Sequence, residues 1–392
     1  LLHWLSRHSA APVARFLETP QTGSPVMTAP APHYVLYRYL NRALLGRFML
    51  CGGVLVSLLE ILALLEKTTP ILNRNLGFKG ILTFALLHLP ALSVEIMPLA
   101  FMVGALFLLM QMTLSSEMSA LRAAGLSTIN LYKRFLPAIL IVGFTGTAMQ
   151  YWLIPPCENA LATWWNKTDP DAAKPDTPSK RILWFRAGPT LVRIGQFAHG
   201  GAFLRDVTIY HRDPGGLLTG TEHAATLTYD GKNWHPTGAQ DLTLTDNGAF
   251  VKITGGDNNF AIPATPSMIM TLSEDNAAVT PSQIGAILHK GAPASLPRAT
   301  YRMALFSGII LPFQVAVMLL LALPVIYIPP RAGLRNPLPV YVLAAGMGFV
   351  ILQGMISALG NAGTLAAPLA ACAGPLLGAL LGLTWVLRME ER

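Results

Sequence analysis

The chain has little charge and almost no cysteine. Only 12% of its 392 residues are Asp, Glu, Lys or Arg, about half of the roughly 25% usual in soluble domains, while 52% are hydrophobic. That balance excludes an ordinary soluble fold and points to an integral membrane protein. Of the three cysteines, Cys51 and Cys372 lie in apolar runs and only Cys157 faces a polar stretch, so a disulfide within the polar region is excluded. No H-E-x-x-H, G-x-S-x-G or P-loop occurs in the sequence, so hydrolysis and nucleotide binding have no local warrant; if ATP is used, another chain supplies it. The histidines of the polar region, His199, His211, His223 and His235, lack the short spacing of a zinc site, and neither metal nor cofactor is expected. The net charge of +8 raises the question of nucleic acid. The basic residues, however, gather at the ends of apolar runs, where membrane topology requires them, and no nucleic-acid partner is expected.

What the sequence does contain is a series of long apolar runs. Residues 1–33 end in a Pro, Ala and Thr-rich tract and are expected to be disordered or an upstream extension, with Met27 a natural start. Residues 34–156 form a first membrane half. Arg38, Arg42 and Arg47 precede the apolar run 48–65 and place this end in the cytosol. The run 81–113 is too long for a simple span and too short for two with a loop, and Pro90 with Pro98 predicts one kinked helix. Glu95, between those prolines, is expected at headgroup level. A third span follows at 130–154. Between the second and third lies a polar island, SSEMSALRAAGLSTINLYKR, from Ser115 to Arg134. Ser115 or Ser116 as cap, Glu117 in the first turn, the helix formers Ala120, Leu121, Ala123 and Ala124, and Gly125 as stop predict a short cytosolic helix over 115–128.

From Cys157 to Arg302 the composition turns polar. Residues 157–180 read as a linker and 181–275 as an all-β domain, with strands predicted at 182–186, 190–196, 203–211, 224–229, 240–245 and 249–254. Strands so spaced imply a sandwich, barrel or jelly roll. In ATLTYDGKNWHPTGA, Asp230-Gly231 marks a tight hairpin and Trp234 is set to pack inward. Residues 276–302 form a second linker with an amphipathic helix at 280–290. The second membrane half, 303–392, holds spans at 303–328, bent by Pro312, at 338–359 and at 365–387. Arg331, Arg335, Arg388 and Arg392 return its turns and terminus to the cytosol. The architecture is three spans, an outer β domain and three spans. Lys67, Arg74, Lys79, Arg298 and Arg302 then sit on the side where positive charge is least expected, which points to a cationic rim for an anionic lipid headgroup.

The segments SEMSALRAAGLS, ATLTYDGKNW and LPFQVAVMLLLALP, in this order, resemble the LptF/LptG family of lipopolysaccharide-export permeases, and the resemblance covers essentially everything after Tyr34. The uncharged loop before the sixth span and the stretch YIPPRAGLRNPLPVYVLAAGMGFV look more like the LptG branch than the LptF branch. The resemblance implies a permease subunit of an ABC transporter in the inner membrane of a Gram-negative bacterium. It would pair with an LptF-like paralogue, bind an LptB-like ATPase dimer, and pass lipopolysaccharide through a periplasmic β-jellyroll to LptC-like and LptA-like proteins. By the same resemblance, Glu117, Ala120, Leu121, Arg122, Ala124 and Gly125 would couple to the ATPase. Lys67, Arg74, Lys79, Arg298 and Arg302 would meet the headgroup, and Met97, Pro98, Met102 and Pro312 would line the transport cavity. One departure stands out: late in the first span, where the family carries basic residues, Ala63 and Leu64 are apolar and charge arrives only at Lys67. Two other classes stay open at this point, an FtsX-like or LolC-like permease and a membrane-anchored scaffold that transports nothing.

Overall fold

The computed structural model describes residues 32–168, 182–213, 215–244, 250–253, 262–273, 279–329 and 336–390. The readings made above for the first 31 residues, for residues 169–180 of the 157–180 linker, and for Arg331, Arg335 and Arg392 lie outside them; the earlier part of that linker is not extended but continues the third span as helix to Lys167. Six helices are long and apolar enough to cross a membrane. The first membrane half contains α1 (Pro32–Asn73), α2 (Gly77–Leu114), α3 (Glu117–Ala123), α4 (Thr128–Arg134) and α5 (Leu136–Ala148). A π-helical turn, Met149–Leu153, then leads into α6 (Ile154–Lys167). Pro155 and Pro156 lack the N–H that an unbroken α-ladder needs, and the wider turn just before them lets the helical path continue. The run 81–113 is a single helix, as its prolines predict.

Two close approaches fix how the bundle packs. A Cβ on Gly104 of α2 would lie 2.8 Å from the backbone nitrogen of Phe48, so α1 and α2 touch backbone to backbone there. A Cβ on Gly143 of α5 would lie 2.6 Å from the Cα of Pro312, which joins the first membrane half to α9 (Arg298–Ala322) of the second. Small residues at such crossings let membrane helices approach to full van der Waals contact. Around them Leu40, Leu44, Phe101, Met102, Leu108, Phe135, Val315 and Met318 are buried in one core. A 3₁₀ segment, Leu323–Tyr327, ends the fourth span, and α10 (Leu338–Asn361) and α11 (Ala367–Glu390) complete the bundle.

The inserted domain is a six-stranded antiparallel sheet in sequential order: β1 (Leu183–Ala187), β2 (Thr190–Ala198), β3 (Phe203–Arg212), β4 (Leu218–Tyr229), β5 (Trp234–Leu244) and β6 (Phe250–Ile253). Phe185, Val192, Ile194, Leu204, Val207, Ile209, Ala224 and Leu227 alternate onto one buried face. The hairpin at Asp230-Gly231 closes between Tyr229 and Trp234, with Gly231 at φ +81°. Trp234 is buried and donates its indole N–H to the Ala264 carbonyl at 2.9 Å. Strands β4 and β5 begin at Leu218 and Trp234, earlier than the predicted 224 and 240. The paired stretches Gly220–Ala224 and Ala239–Thr243 carry polar residues on both faces, so hydrophobic alternation fades there although the ladder continues.

On the far side, α7 (Pro266–Leu272) and α8 (Pro281–Lys290) connect the sheet to the bundle. The start of α8 has a full capping box: Thr280 accepts from the Gln283 N–H, and the Gln283 side chain accepts from the Thr280 N–H. Beyond α8, Ala294 exchanges two 2.9 Å backbone hydrogen bonds with Arg186 of β1, and the Gly188 N–H donates to the Gly291 carbonyl. The chain leading into α9 is thus stitched to the outer edge of β1.

Candidate functional site

The polar island divides in two. Helix α3 covers only Glu117–Ala123, a separate α4 begins at Thr128, and Gly125 ends the first at φ +84°. The membrane helix that follows starts at Leu136 rather than at the predicted 130. The serine cap expected at its start is absent. Ser116 holds the N-cap position in a left-handed conformation, φ 62°, and its side chain makes no cap bond. Ser115 instead donates to Glu117 Oε1 at 3.1 Å, because the sharp turn out of α2 aims its hydroxyl past the helix start.

Each side of α3 is held by a different element. Met118 is 2% exposed and sits in the bundle core, and Leu121 packs beside it. Tyr39 of α1 donates its hydroxyl to Glu117 Oε2 at 3.4 Å. The Arg122 guanidinium lies 4.6 Å over the Tyr327 ring at the end of the fourth span. Tyr327 in turn shares a 2.7 Å hydrogen bond with Thr128. The crevice behind α3 holds only about 10 Å³ and has no room for a ligand. Outward, Glu117, Ala120, Arg122, Ala124 and Gly125 are exposed. The result is a seven-residue helix pinned to the ends of spans one, two and four, with a small-residue face turned away from the bundle.

Asn41, which nothing in the sequence singled out, makes the break after α4 possible. It donates to the carbonyls of Tyr37 and Arg134 at 2.8 Å, and its Oδ1 accepts from the Ala138 N–H at 3.0 Å. Arg134 and Ala138 flank the break at Phe135, where a helix end leaves backbone groups without internal partners. A lone Asn inside an arginine-flanked helix start gave only a weak signal.

The cationic residues at the other end of the bundle do not all stand alike. Lys79, Arg298 and Arg302 are exposed, and Lys67 is 3.2 Å from Glu66 on the same helix. Arg74 stacks 4.0 Å over Trp165 and donates to its carbonyl at 2.6 Å, so it ties the first hairpin to the end of α6. The β domain brings further charge. Burial, then the neighbouring charges of Arg298 and Arg212, push the Arg186 pKa below the ordinary arginine value. Arg186 and Arg212 went unremarked in the sequence because they lie in alternating strands. Met97, Pro98 and Met102 are buried in α2, and Pro312 is half-buried against Gly143; all four pack between helices.

Glu95, the membrane carboxylate noted in the sequence, is exposed on α2. The buried one is Glu60 of α1, 7% exposed, with Oε2 at 3.4 Å from Nδ1 of His88. The distance suits an ion pair, but among the described residues neither Glu60 oxygen nor His88 Nδ1 has a hydrogen-bond partner. The signal was a carboxylate inside the apolar run 48–65.

Comparison with known proteins covers nearly the whole of this chain. Residues 38–388 fit the family model of the lipopolysaccharide export system permease LptF/LptG. The lipopolysaccharide export system permease protein LptG from two Escherichia coli strains is similar, in each case 23% identical over 361 residues, which is 89% of this chain and 95% of the relative. The match takes in the six membrane-length helices, the inserted antiparallel sheet and helix α3, and this chain belongs to the LptF/LptG family of lipopolysaccharide export system permeases.

Proposed function

We propose that the chain is the LptG-type permease subunit of an ABC transporter that extracts lipopolysaccharide from the inner membrane. A separate LptB-like ATPase dimer supplies ATP hydrolysis, and an LptF-like paralogue completes the membrane part. The sheet, in the periplasm as part of a β-jellyroll bridge, hands the lipid to LptC-like and LptA-like proteins. One observation carries this reading: α3 is locked to Tyr39, the bundle core and Tyr327 at once. A force applied to so short and so firmly held a helix moves three spans together, which is what a coupling element must do.

The outward carboxylate of Glu117 is suited to a charge-assisted bond with a basic residue of the ATPase, a contact of roughly 1.5 to 3 kcal/mol. Glu117→Lys should reduce co-purification of the ATPase and lipopolysaccharide export together, with the permease still present in the membrane. Unchanged assembly and export would remove the role. Reporter fusions at Asn166, Arg335 and Arg392 test sidedness; Asn166 should report periplasm, and the two arginines cytosol.

A further inference from the structure

Between the last three spans lies a cavity of about 870 Å³, lined by Ala345, Gly348, Phe349, Leu381, Trp385 and Arg388 among others. Its origin is a change in helix spacing. Along α11 a Cβ on Gly378 would lie 2.6 Å from Phe349 and Val317, and one on Gly382 would lie 2.9 Å from Leu320, so α11 is drawn tightly onto α9 and α10. Further along α10, toward its start, the facing residues shrink to Gly348 and Ala345, and a Cβ on Gly348 would meet nothing within 4 Å. The tight seam therefore opens into a cleft.

The cleft has a polar mouth and an apolar interior. Arg388 and Thr384 lie at the end of α11, the same end of the bundle as α3, since α11 packs against the 3₁₀ segment that carries Tyr327. From Gly378 to Arg388 is ten residues of helix, about 15 Å at 1.5 Å per residue, which matches one leaflet of a hydrocarbon core about 30 Å thick. Arg388 is exposed and, among the described residues, no carboxylate pairs with it. Glu390, two positions on, projects from a different side of the helix. A slot one leaflet deep with a guanidinium at headgroup level that no described carboxylate pairs with is complementary to a lipid with an anionic head.

The geometry points to a binding site for one anionic phospholipid of the leaflet on the α3 side, with an acyl chain along Ala345, Gly348 and Leu381 and the headgroup phosphate on Arg388. Arg suits the phosphate, whose oxygens it can meet bidentately. Trp385, half-buried beside the mouth, is the residue type that settles at a membrane interface.

The test uses the full chain purified in detergent with whatever subunits accompany it, delipidated and titrated with phosphatidylglycerol or phosphatidylcholine under native mass spectrometry. One phosphatidylglycerol should be retained in preference to phosphatidylcholine. Arg388→Gln should weaken that retention by about fivefold, the effect of one basic residue at an anionic surface. Gly348→Leu should fill the cleft and abolish retention with an unchanged melting temperature, because its Cβ has open space. Arg388→Gln gives an independent reading if the filled variant folds poorly. Equal retention of the two lipids, or full retention by well-folded Gly348→Leu, would overturn the site. So would a photo-crosslinker at Leu381 that captures a protein chain in place of lipid. No arm involves lipopolysaccharide export, so failure here and failure of the proposed function are separable.

Discussion

Asn41 shows how much one side chain can decide. Its amide serves three backbone groups on three helices, α1, α4 and α5, two of them at the break after α4. Asn41→Leu preserves size but leaves the Ala138 N–H and the Arg134 carbonyl without partners, at about 1 to 3 kcal/mol for each buried group. The variant should melt several degrees lower in detergent; an unchanged melting curve would show that the break is held by packing alone. Glu60 and His88 call for a paired experiment. His88→Leu by itself strands a buried carboxylate and should destabilise the α1–α2 hairpin by about 1 to 3 kcal/mol. Adding Glu60→Leu should recover most of that loss, because an apolar pair has no desolvation cost to offset. A double variant less stable than the single one would mean that the carboxylate has a further partner.

At the scale of elements, the sheet has two outer edges and they are not equivalent. β1 is stitched at Arg186 to Ala294, whereas β6 ends the sheet on the other side. An exposed edge is a template for adding a strand from another chain. Under the bridge reading, photo-crosslinkers along β6 and along Leu183–Phe185 should capture a β-rich partner or lipid, while one at Arg186 should not. If both edges stay silent in a folded protein, the sheet does not hand lipid onward by edge pairing. Helix α8 offers a simpler check of local stability. Thr280→Ala removes a reciprocal cap and should cost about 0.5 to 2 kcal/mol, read as faster amide exchange across Pro281–Lys290 with little change in β1 to β4.

For the whole molecule, the charge distribution is the property to test. Lys67, Lys79 and Arg302 are positive, accessible and at the end of the bundle opposite α3. Arg74 is already engaged with Trp165, so it is the weaker choice. Neutralising Lys67, Lys79 and Arg302 together should reduce lipopolysaccharide crosslinking and lipid-stimulated ATP hydrolysis while the complex still assembles. Full transport by an assembled triple variant would make these charges ordinary headgroup contacts.

The sequence by itself determined the six membrane-length helices, the single continuous α2, the position of the inserted sheet and the hairpin at Asp230-Gly231, though not where the third span begins and ends. Each of these follows from sums over neighbouring residues: the transfer of an apolar run into lipid, the missing N–H of proline, the turn preference of Asp-Gly. The extent of β4 and β5 was only half legible, since polar residues on both faces hide the alternation. Only the tertiary structure decided the contacts that make a site. Arg122 meets Tyr327 across 205 positions of chain, Asn41 meets Ala138 across 97, and Glu60 meets His88 on a neighbouring helix. Such contacts depend on which faces two helices turn to each other. That choice was set by close approaches such as Gly104 on Phe48 and Gly143 on Pro312, where the absence of a side chain lets backbones touch, and no local sum along the chain reveals which partner a small residue will meet.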